Sequence, residues 1–264
     1  MPSYNLSNIS TDAPDGIGKE QAKEQTAKYI KKIDELQDIL YAQNKYSLLV
    51  VVQGQDASGK DGAIKDVFST LNPQGISVKS FKAPTSVELS HDFLWRVHAE
   101  APTKGQIKIF NRSHYEDVLI TRVEGWVDDK TAQRRFEHIN AFERLLQQHN
   151  TVVLKFFLHT SIKEQEKRFY DRMTDPKKQW KFGAEDLQKI KKADAYRQCY
   201  EEAFEKCSPE IPWVIVPADQ NWYKEYLIAK TVCEAMEDLN LSYPTIVLDT
   251  SNPDVKRILD KYRE

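Results

Sequence analysis

Gly54-Gln55-Asp56-Ala57-Ser58-Gly59-Lys60 decides the fold, because it fits the spacing GxxxxGK between an apolar run, Leu48–Gln53, and a helical pattern. Glycines let such a loop wind tightly, so that backbone N–H groups point inward. The following helix adds its N-terminal dipole, and the lysine adds a point charge. Gly54, Ala57, Ser58, Gly59 and Lys60 are therefore candidate phosphate-binding residues of a P-loop. A plain glycine-rich turn leaves the lysine unexplained. Two departures from the usual loop are informative: Asp61 replaces the Ser or Thr after the lysine, and Asp56 lies inside the loop. Carboxylates repel a phosphate unless a divalent cation lies between them. Asp56 and Asp61 are thus candidate ligands for Mg²⁺, with Mn²⁺ as a substitute. Alternatively, Asp56 orients an attacking phosphate oxygen, and Asp61 interacts with the helix dipole.

Outward from the loop, short β-rich runs recur at Ile76–Phe81, Ile107–Phe110, Val152–Leu158 and Trp213–Val216. Each is short and largely apolar, as expected of strands covered on both faces. Between them, residues 59–71 place Ala63, Ile64, Val67, Phe68 and Leu71 on one helical face. Residues 131–148 do the same with Phe136, Ile139, Phe142, Leu145 and Leu146. Strands alternating with helices predict parallel βαβ crossovers and a three-layer α/β domain with a parallel central sheet. Ligands then bind at the carboxyl ends of the strands.

The flanks read differently. Residues 1–18 look like a loose arm. Lys19–Asn44 is a helix whose single stripe, Tyr29, Ile33, Leu36 and Leu40, covers the core or meets another subunit. Ser161–Tyr200 is crowded with charge, broken at Asp175-Pro176, and reads as a helical excursion over the site. Thr245–Leu248 is β-like and a charged helix follows. The chain, 1–264, is expected to be one domain with an arm and helix over 1–44 and a lid insertion at about 161–200.

With 264 residues, 40% hydrophobic and 30% charged, the composition is that of a soluble globular enzyme with one substantial core. No apolar run approaches the roughly 18 residues that span a bilayer, and the N-terminus lacks the pattern of a signal peptide; the expectation is cytoplasmic. Cys199, Cys207 and Cys233 have no metal-ligand spacing and read as reduced thiols. A net charge of −2 argues against nucleic acid as a partner, so a polyanion must be held by a local focus of Lys and Arg.

Such foci exist. After Ile107–Phe110, where a P-loop protein usually carries an acid, stands the neutral Asn111, followed by Arg112, whose planar fork suits phosphate. Ser113 and Glu116 have the spacing of a capping box. Arg168, Arg172, Lys177, Lys178 and Lys181 form a basic segment. Arg168 and Arg172 lie one turn apart on one helical face, as in a lid closing on phosphates, unless Glu164 and Asp171 simply pair with them. Lys79, Lys82, Lys104 and Lys108 flank strand ends and, with Lys60, are expected to line a channel for a long polyanion. His91, His98 and His114 lack metal-ligand spacing.

Taken in order, Gly54-x-Asp56-Ala-Ser-Gly-Lys-Asp-Gly62, Asn111-Arg-Ser-His-Tyr-Glu-Asp-Val118 and Arg172-x-x-x-Pro176-x-x-x-Trp180-Lys181 resemble the polyphosphate kinase 2 family, over roughly Lys19 to Asn240. The His-Tyr-Glu stretch is similar to class III members, which phosphorylate both AMP and ADP from inorganic polyphosphate. The resemblance implies a P-loop kinase fold with a helical lid, Mg²⁺ dependence and a homotetramer. By motif position it assigns catalysis to Asp56, Lys60, Arg112 and Arg172. The residues' own reading adds Asp61, Lys79, Lys82, Lys104, Arg168 and Lys181 as phosphate-binding candidates, and Asn111, Arg112, Glu116 and Asp117 as nucleotide-acceptor candidates. Asn111 departs from the acid of many ADP-specific members. The competing readings are an ATP-dependent nucleoside monophosphate kinase, against which Asp61 speaks, and a non-catalytic polyphosphate- or nucleotide-binding module.

Overall fold

The apolar runs become the strands of a single sheet in the computed structural model, which describes residues 4–183, 191–207 and 210–263. They are β1 (Ser47–Gly54), β2 (Ile76–Ser80), β3 (Ile107–Asn111), β4 (Thr151–His159) and β5 (Trp213–Pro217). All pairings are parallel, in the order β2-β3-β1-β4-β5. Each predicted strand falls inside these bounds, except that Phe81 lies one residue beyond β2. The described helices are α1 (Lys19–Gln43), α2 (Lys60–Phe68), the short α3 (Ser86–Leu89), α4 (Trp95–His98) and α5 (Ile120–Val123), then α6 (Asp129–Gln148), α7 (Ile162–Thr174), α8 (Ala193–Cys207), α9 (Asn221–Glu237) and α10 (Pro253–Lys261).

β1 is buried along its whole length, and its pleat divides the core. Leu48, Val50 and Val52 face α1, α2 and α9, meeting Ile33, Leu40, Ala63, Val67, Ile228 and Val232. Leu49 and Val51 face the opposite layer, with Phe136, Ile139 and Phe142 of α6 and Tyr200 and Phe204 of α8. Alternate residues of one strand thus feed two clusters, which is what three layers require. Full burial of each Leu or Val contributes about 1.5–3 kcal/mol relative to exposure.

Three expectations are corrected. Residues 4–13 are not loose. Leu6 is 2% exposed, its N–H donates to Glu201 at 2.8 Å, and Thr11 Oγ1 donates to Asp219 at 2.9 Å. His159 Nε2 lies 3.1 Å from the carbonyls of both Leu6 and Ile9. The segment 161–200 is not wholly an excursion. Residues 184–190 lie outside the described residues, α7 buries Phe169, and the end of the segment joins the core through Cys199 and Tyr200. Thr245–Leu248 forms no strand: Ile246, Val247 and Leu248 are exposed, and no strand among the described residues pairs with them. The break at Asp175-Pro176 is observed, since α7 ends at Thr174. A proline cannot continue the helix, and it disfavours helical geometry in the residue before it.

The connection from β1 leads outward to β2 and back to β3, and the chain then crosses to β4 on the other side of β1. This reversal opens a crevice at the carboxyl ends of β1 and β3. Gly54 and Asn111 stand at its lip.

Candidate active site

The loop after β1 depends on its glycines. A Cβ on Gly54 (φ 153°) would lie 2.7 Å from Ser58 Oγ and 3.0 Å from the Leu158 carbonyl, so no side chain fits there. Gly59 caps α2 at φ 92°, in the left-handed region that favours glycine. Lys60 opens the helix and folds back, its Nζ donating to the carbonyls of Gly54 at 2.7 Å and Gln55 at 3.0 Å. Burial, reinforced by the positive charge of Arg112, lowers the Lys60 pKa to about 8.

Arg112 follows the end of β3 with φ 63°, a left-handed conformation for a residue with a side chain. Such geometry costs on the order of 1–3 kcal/mol and persists only where its surroundings enforce it. Here the guanidinium forks between two carboxylates: NH2 donates to Asp56 through a short contact, and NH1 donates to Glu116 at 3.2 Å. Burial works to depress its pKa, but Glu116 and Asp56 outweigh it and raise the value, so the group stays charged. Asn111 Nδ2 donates to Asp61 at 2.8 Å, and Lys181 Nζ approaches the same carboxylate at 3.4 Å. Burial raises the Asp61 pKa less than Asn111 and Lys181 lower it. Gln53 Nε2 donates to Ser113 Oγ at 3.0 Å beneath the segment, bracing its start against β1.

Two clefts open over these residues. The first, about 380 Å³, is lined by Asp56, Ala57, Gly59, Lys60, Asp61, Lys82, Asn111, Arg112, Arg172, Trp180 and Lys181, among others. The second, about 680 Å³, is lined by Arg96, Arg112, Glu116, Asp117, Thr121 and Trp126, with Glu124 and Lys192. Those last two pair at 2.7 Å. Phe81, Lys82 and Arg112 belong to both clefts. Gly54 and the buried Ser58 support the loop from below.

Several predicted residues are placed elsewhere. Lys104 lies at the amino end of the sheet, where Gly105 donates to the Tyr46 carbonyl, the full length of β1 away from the loop. Lys79 and Lys108 both end on Glu100 at 2.6 Å, so of the four strand-end lysines only Lys82 joins Lys60 in lining the first cleft. Arg168 does not line the cleft: it reaches the loop from behind, donating to the carbonyls of Ala57 at 3.0 Å and Ala218 at 2.8 Å and pairing with Glu164 at 2.9 Å. The capping box is half formed. Ser113 Oγ accepts from the Tyr115 N–H, while the Glu116 carboxylate turns to Arg112 instead of the cap.

Asp117 is 7% exposed, with Arg96 at 3.4 Å and Arg135 at 3.6 Å. Burial raises its pKa against the pull of both arginines. Its carboxylate therefore serves the walls of the second cleft. Asp117→Asn is expected to lower stability by about 1–3 kcal/mol, because it removes the carboxylate charge facing the buried Arg96 and the partly buried Arg135, while AMP and ADP rates fall in the same proportion. Denaturant melts and paired initial rates check this, and a changed rate ratio would restore Asp117 as an acceptor residue.

Lys224, Arg96, Trp126 and Gln53 were not singled out from sequence. One signal was present: Lys224 precedes Ile228 and Val232 at helical spacing, a charge on the buried stripe of α9.

The family model for polyphosphate kinase 2 matches residues 16–243, which include both clefts. The chain belongs to the polyphosphate kinase 2 family. An AMP/ADP-polyphosphate phosphotransferase of Meiothermus ruber is 45% identical over 228 residues, 86% of this chain and 85% of that protein. An ADP-polyphosphate phosphotransferase of Rhodopseudomonas palustris is 40% identical over 239 residues, 86% of this chain and 83% of that protein. The crystal structure of polyphosphate kinase 2 from Arthrobacter aurescens superposes with a TM-score of 0.92 at 36% identity, covering 97% of this chain and 93% of that one. The three-layer P-loop kinase fold of this family member is thereby the one its sequence predicts.

Proposed function

We propose that this chain transfers the terminal phosphoryl group of inorganic polyphosphate to AMP and ADP, giving ADP and ATP. The observation that carries the proposal is the pair of clefts meeting at Arg112: one has a P-loop and cationic walls, and the other has room for a nucleoside. A phosphate oxygen of the acceptor, held in the second cleft, attacks the terminal phosphorus of the donor. The new P–O bond forms as the anhydride bond breaks, and the shortened polyphosphate leaves with the electron pair. Lys60 and the loop amides stabilise the negative charge spread over the transferring group, and Arg112 lies where donor and acceptor phosphates meet. Asp56 and Glu116 hold the arginine fork in plane. Glu116 thus shapes the acceptor side through Arg112, and Asn111 acts through Asp61.

Asp56 and Asp61 fit a hard divalent cation, being carboxylates on the same cleft as the phosphate-directed cations. No group of three or more acidic, His or Cys residues among the described residues makes a closed metal cage. That suits Mg²⁺, which is held by one or two carboxylates together with phosphate oxygens and water. Mg²⁺, or Mn²⁺ in its place, would neutralise donor charge beside those two residues. Homotetrameric assembly and a cytoplasmic location belong to the same proposal; no described helix is long and apolar enough to cross a membrane.

The test is initial rates with AMP alone and ADP alone, with Mg²⁺ and either polyphosphate or ATP as donor. Product from both acceptors with polyphosphate is the expected result. Transfer only from ATP would replace the proposal with a nucleoside monophosphate kinase, and no transfer from either donor would leave a binding module. Arg172 lines the first cleft from α7 and stacks on Phe169 at 5.1 Å. If α7 closes as a lid, Arg172 meets the phosphoryl group chiefly in the closed state. Arg172→Ala is then expected to lower kcat about 100-fold with KM changed less than threefold; a raised KM with kcat intact would make it a ground-state clamp.

A further inference from the structure

Behind the loop, on the side away from the cleft, a second lysine is buried. Lys224, at the start of α9, is 1% exposed. Its Nζ donates to Asn221 Oδ1 at 2.9 Å and approaches the Gly59 carbonyl at 3.4 Å. No carboxylate among the described residues forms an ion pair with it. A Cβ built on Gly59 would fall 2.8 Å from Lys224 Nζ and 3.3 Å from Arg168 NH1, so the two cations occupy the space a side chain would need. Burial, with the positive charge of Arg168, lowers the Lys224 pKa to about 8, against the opposing pull of Glu225 and Asp66. A buried ammonium carries a desolvation cost, and one neutral amide and one carbonyl are modest compensation.

The Gly59 carbonyl also accepts the first helical bond of α2, from the Ala63 N–H at 3.0 Å. It belongs to the Gly59–Lys60 peptide, whose other end is the Lys60 N–H. In a trans peptide the two groups point in opposite directions. Holding the carbonyl back therefore aims the Lys60 N–H, which as the first of α2 has no intrahelical acceptor, toward the mouth of the helix where an anion binds. Arg168 pins the Ala57 carbonyl in the same way, so two loop carbonyls that would repel phosphate are drawn to the rear by two cations.

We infer that Lys224 is a positioning residue for phosphoryl transfer: through the Gly59 carbonyl it sets the Lys60 amide and the α2 N-terminus against the donor phosphates. This inference rests on the proposed use of the loop for the phosphoryl donor. Lys224 acts on the donor side, since Gly59 and Lys60, through which it works, line the first cleft and not the second.

The experiment compares wild type with Lys224→Met, which keeps length and removes charge, and with Lys230→Met as a control on a half-buried turn of the same helix. Lys230 pairs with Glu234 and touches no part of the site. Three readings are taken: the affinity for magnesium tripolyphosphate by calorimetry, kcat and KM for polyphosphate and AMP separately, and the melting temperature. For Lys224→Met the expected result is a tenfold or greater loss in both tripolyphosphate affinity and kcat, with AMP KM within twofold of wild type and Lys230→Met unchanged. Unaltered donor affinity and kcat in folded Lys224→Met, or equal rises in both KM values, would overturn the inference. If Lys224→Met fails to fold, Asn221→Ala, which removes the amide steadying the ammonium, is read instead and must show the same donor-side loss. Wild type that neither binds tripolyphosphate nor transfers from polyphosphate would overturn the functional proposal itself, a result distinguishable from failure of the variant alone.

Discussion

Lys60→Ala is expected to lower kcat by about a thousandfold while leaving a folded protein. Charge on the three equatorial oxygens of a transferring phosphoryl group must be met by donors already in place, and removing one such group typically costs a factor of about 10²–10³. Lys60 is the cation at the base of the first cleft, and its ammonium rests on the carbonyls of Gly54 and Gln55. The donor phosphate must draw it off those carbonyls, so the loss belongs to chemistry more than to folding. Stability has two opposing parts. The variant loses two hydrogen bonds, each about 1 kcal/mol, but is freed of a buried charge. Because the folded pKa is lowered to about 8, the unfolded chain binds the proton more tightly. Wild-type stability should therefore rise as pH climbs from about 8 toward the ordinary lysine value, and the burial penalty is present in full below pH 8. At pH 7 the variant should melt within about 4 °C of wild type. The checks are single-turnover rates with polyphosphate and Mg²⁺ beside thermal melts at pH 7 and pH 9. Unchanged turnover would remove the loop from the mechanism, and a rise in wild-type stability that persists in Lys60→Ala would have to come from another group, such as Lys224.

The legible parts of this chain are those whose physics is local. Leu48–Gln53 and Val152–Leu158 are apolar at every second and nearly every first position because both faces of a parallel strand are buried, and their bounds emerge almost unchanged. Gly54 and Gly59 are informative because the conformations they adopt leave no room for a Cβ. What stayed hidden depends on partners far away in sequence. Arg168 shares a helical face with Arg172, yet its NH2 meets the carbonyl of Ala218, 50 residues on, and it turns behind the loop instead of into the cleft. Leu6 is held by Glu201 across 195 residues, so an arm with no periodicity is nonetheless docked. Thr245–Leu248 has strand-like composition, but β-propensity expresses fit to a neighbouring strand, and none among the described residues receives it. Lys79 and Lys104 are alike in sequence terms; only the sheet reveals that Lys104 is at its far end and Lys79 is spent on Glu100.

Arg112 presents the sharpest case of a residue whose neighbours decide its role, and both Arg112→Ala and Arg112→Lys are expected to lower kcat by at least about 100-fold. The alanine variant takes the guanidinium charge away from Asp56 and Glu116, two carboxylates on the walls of the clefts. It thus adds repulsion to the loss of a donor, and the apparent KM for both substrates should rise as well. Lysine restores charge but not geometry: a single ammonium cannot donate in plane to Asp56 and Glu116 while facing a phosphate, as the guanidinium fork can. The left-handed backbone at φ 63° makes a third comparison possible. Arg112→Gly relieves that strain and removes the side chain, so it should be no less stable than Arg112→Ala and equally inactive. The difference in their unfolding free energies, expected at about 1 kcal/mol in favour of glycine, measures the backbone strain carried at the junction of the two clefts. Kinetics of the three variants with AMP and ADP, set beside denaturant melts, decide the matter. Near-wild-type turnover in Arg112→Lys would show that charge alone suffices there, and would separate the meeting point of the clefts from the bidentate geometry assigned to it.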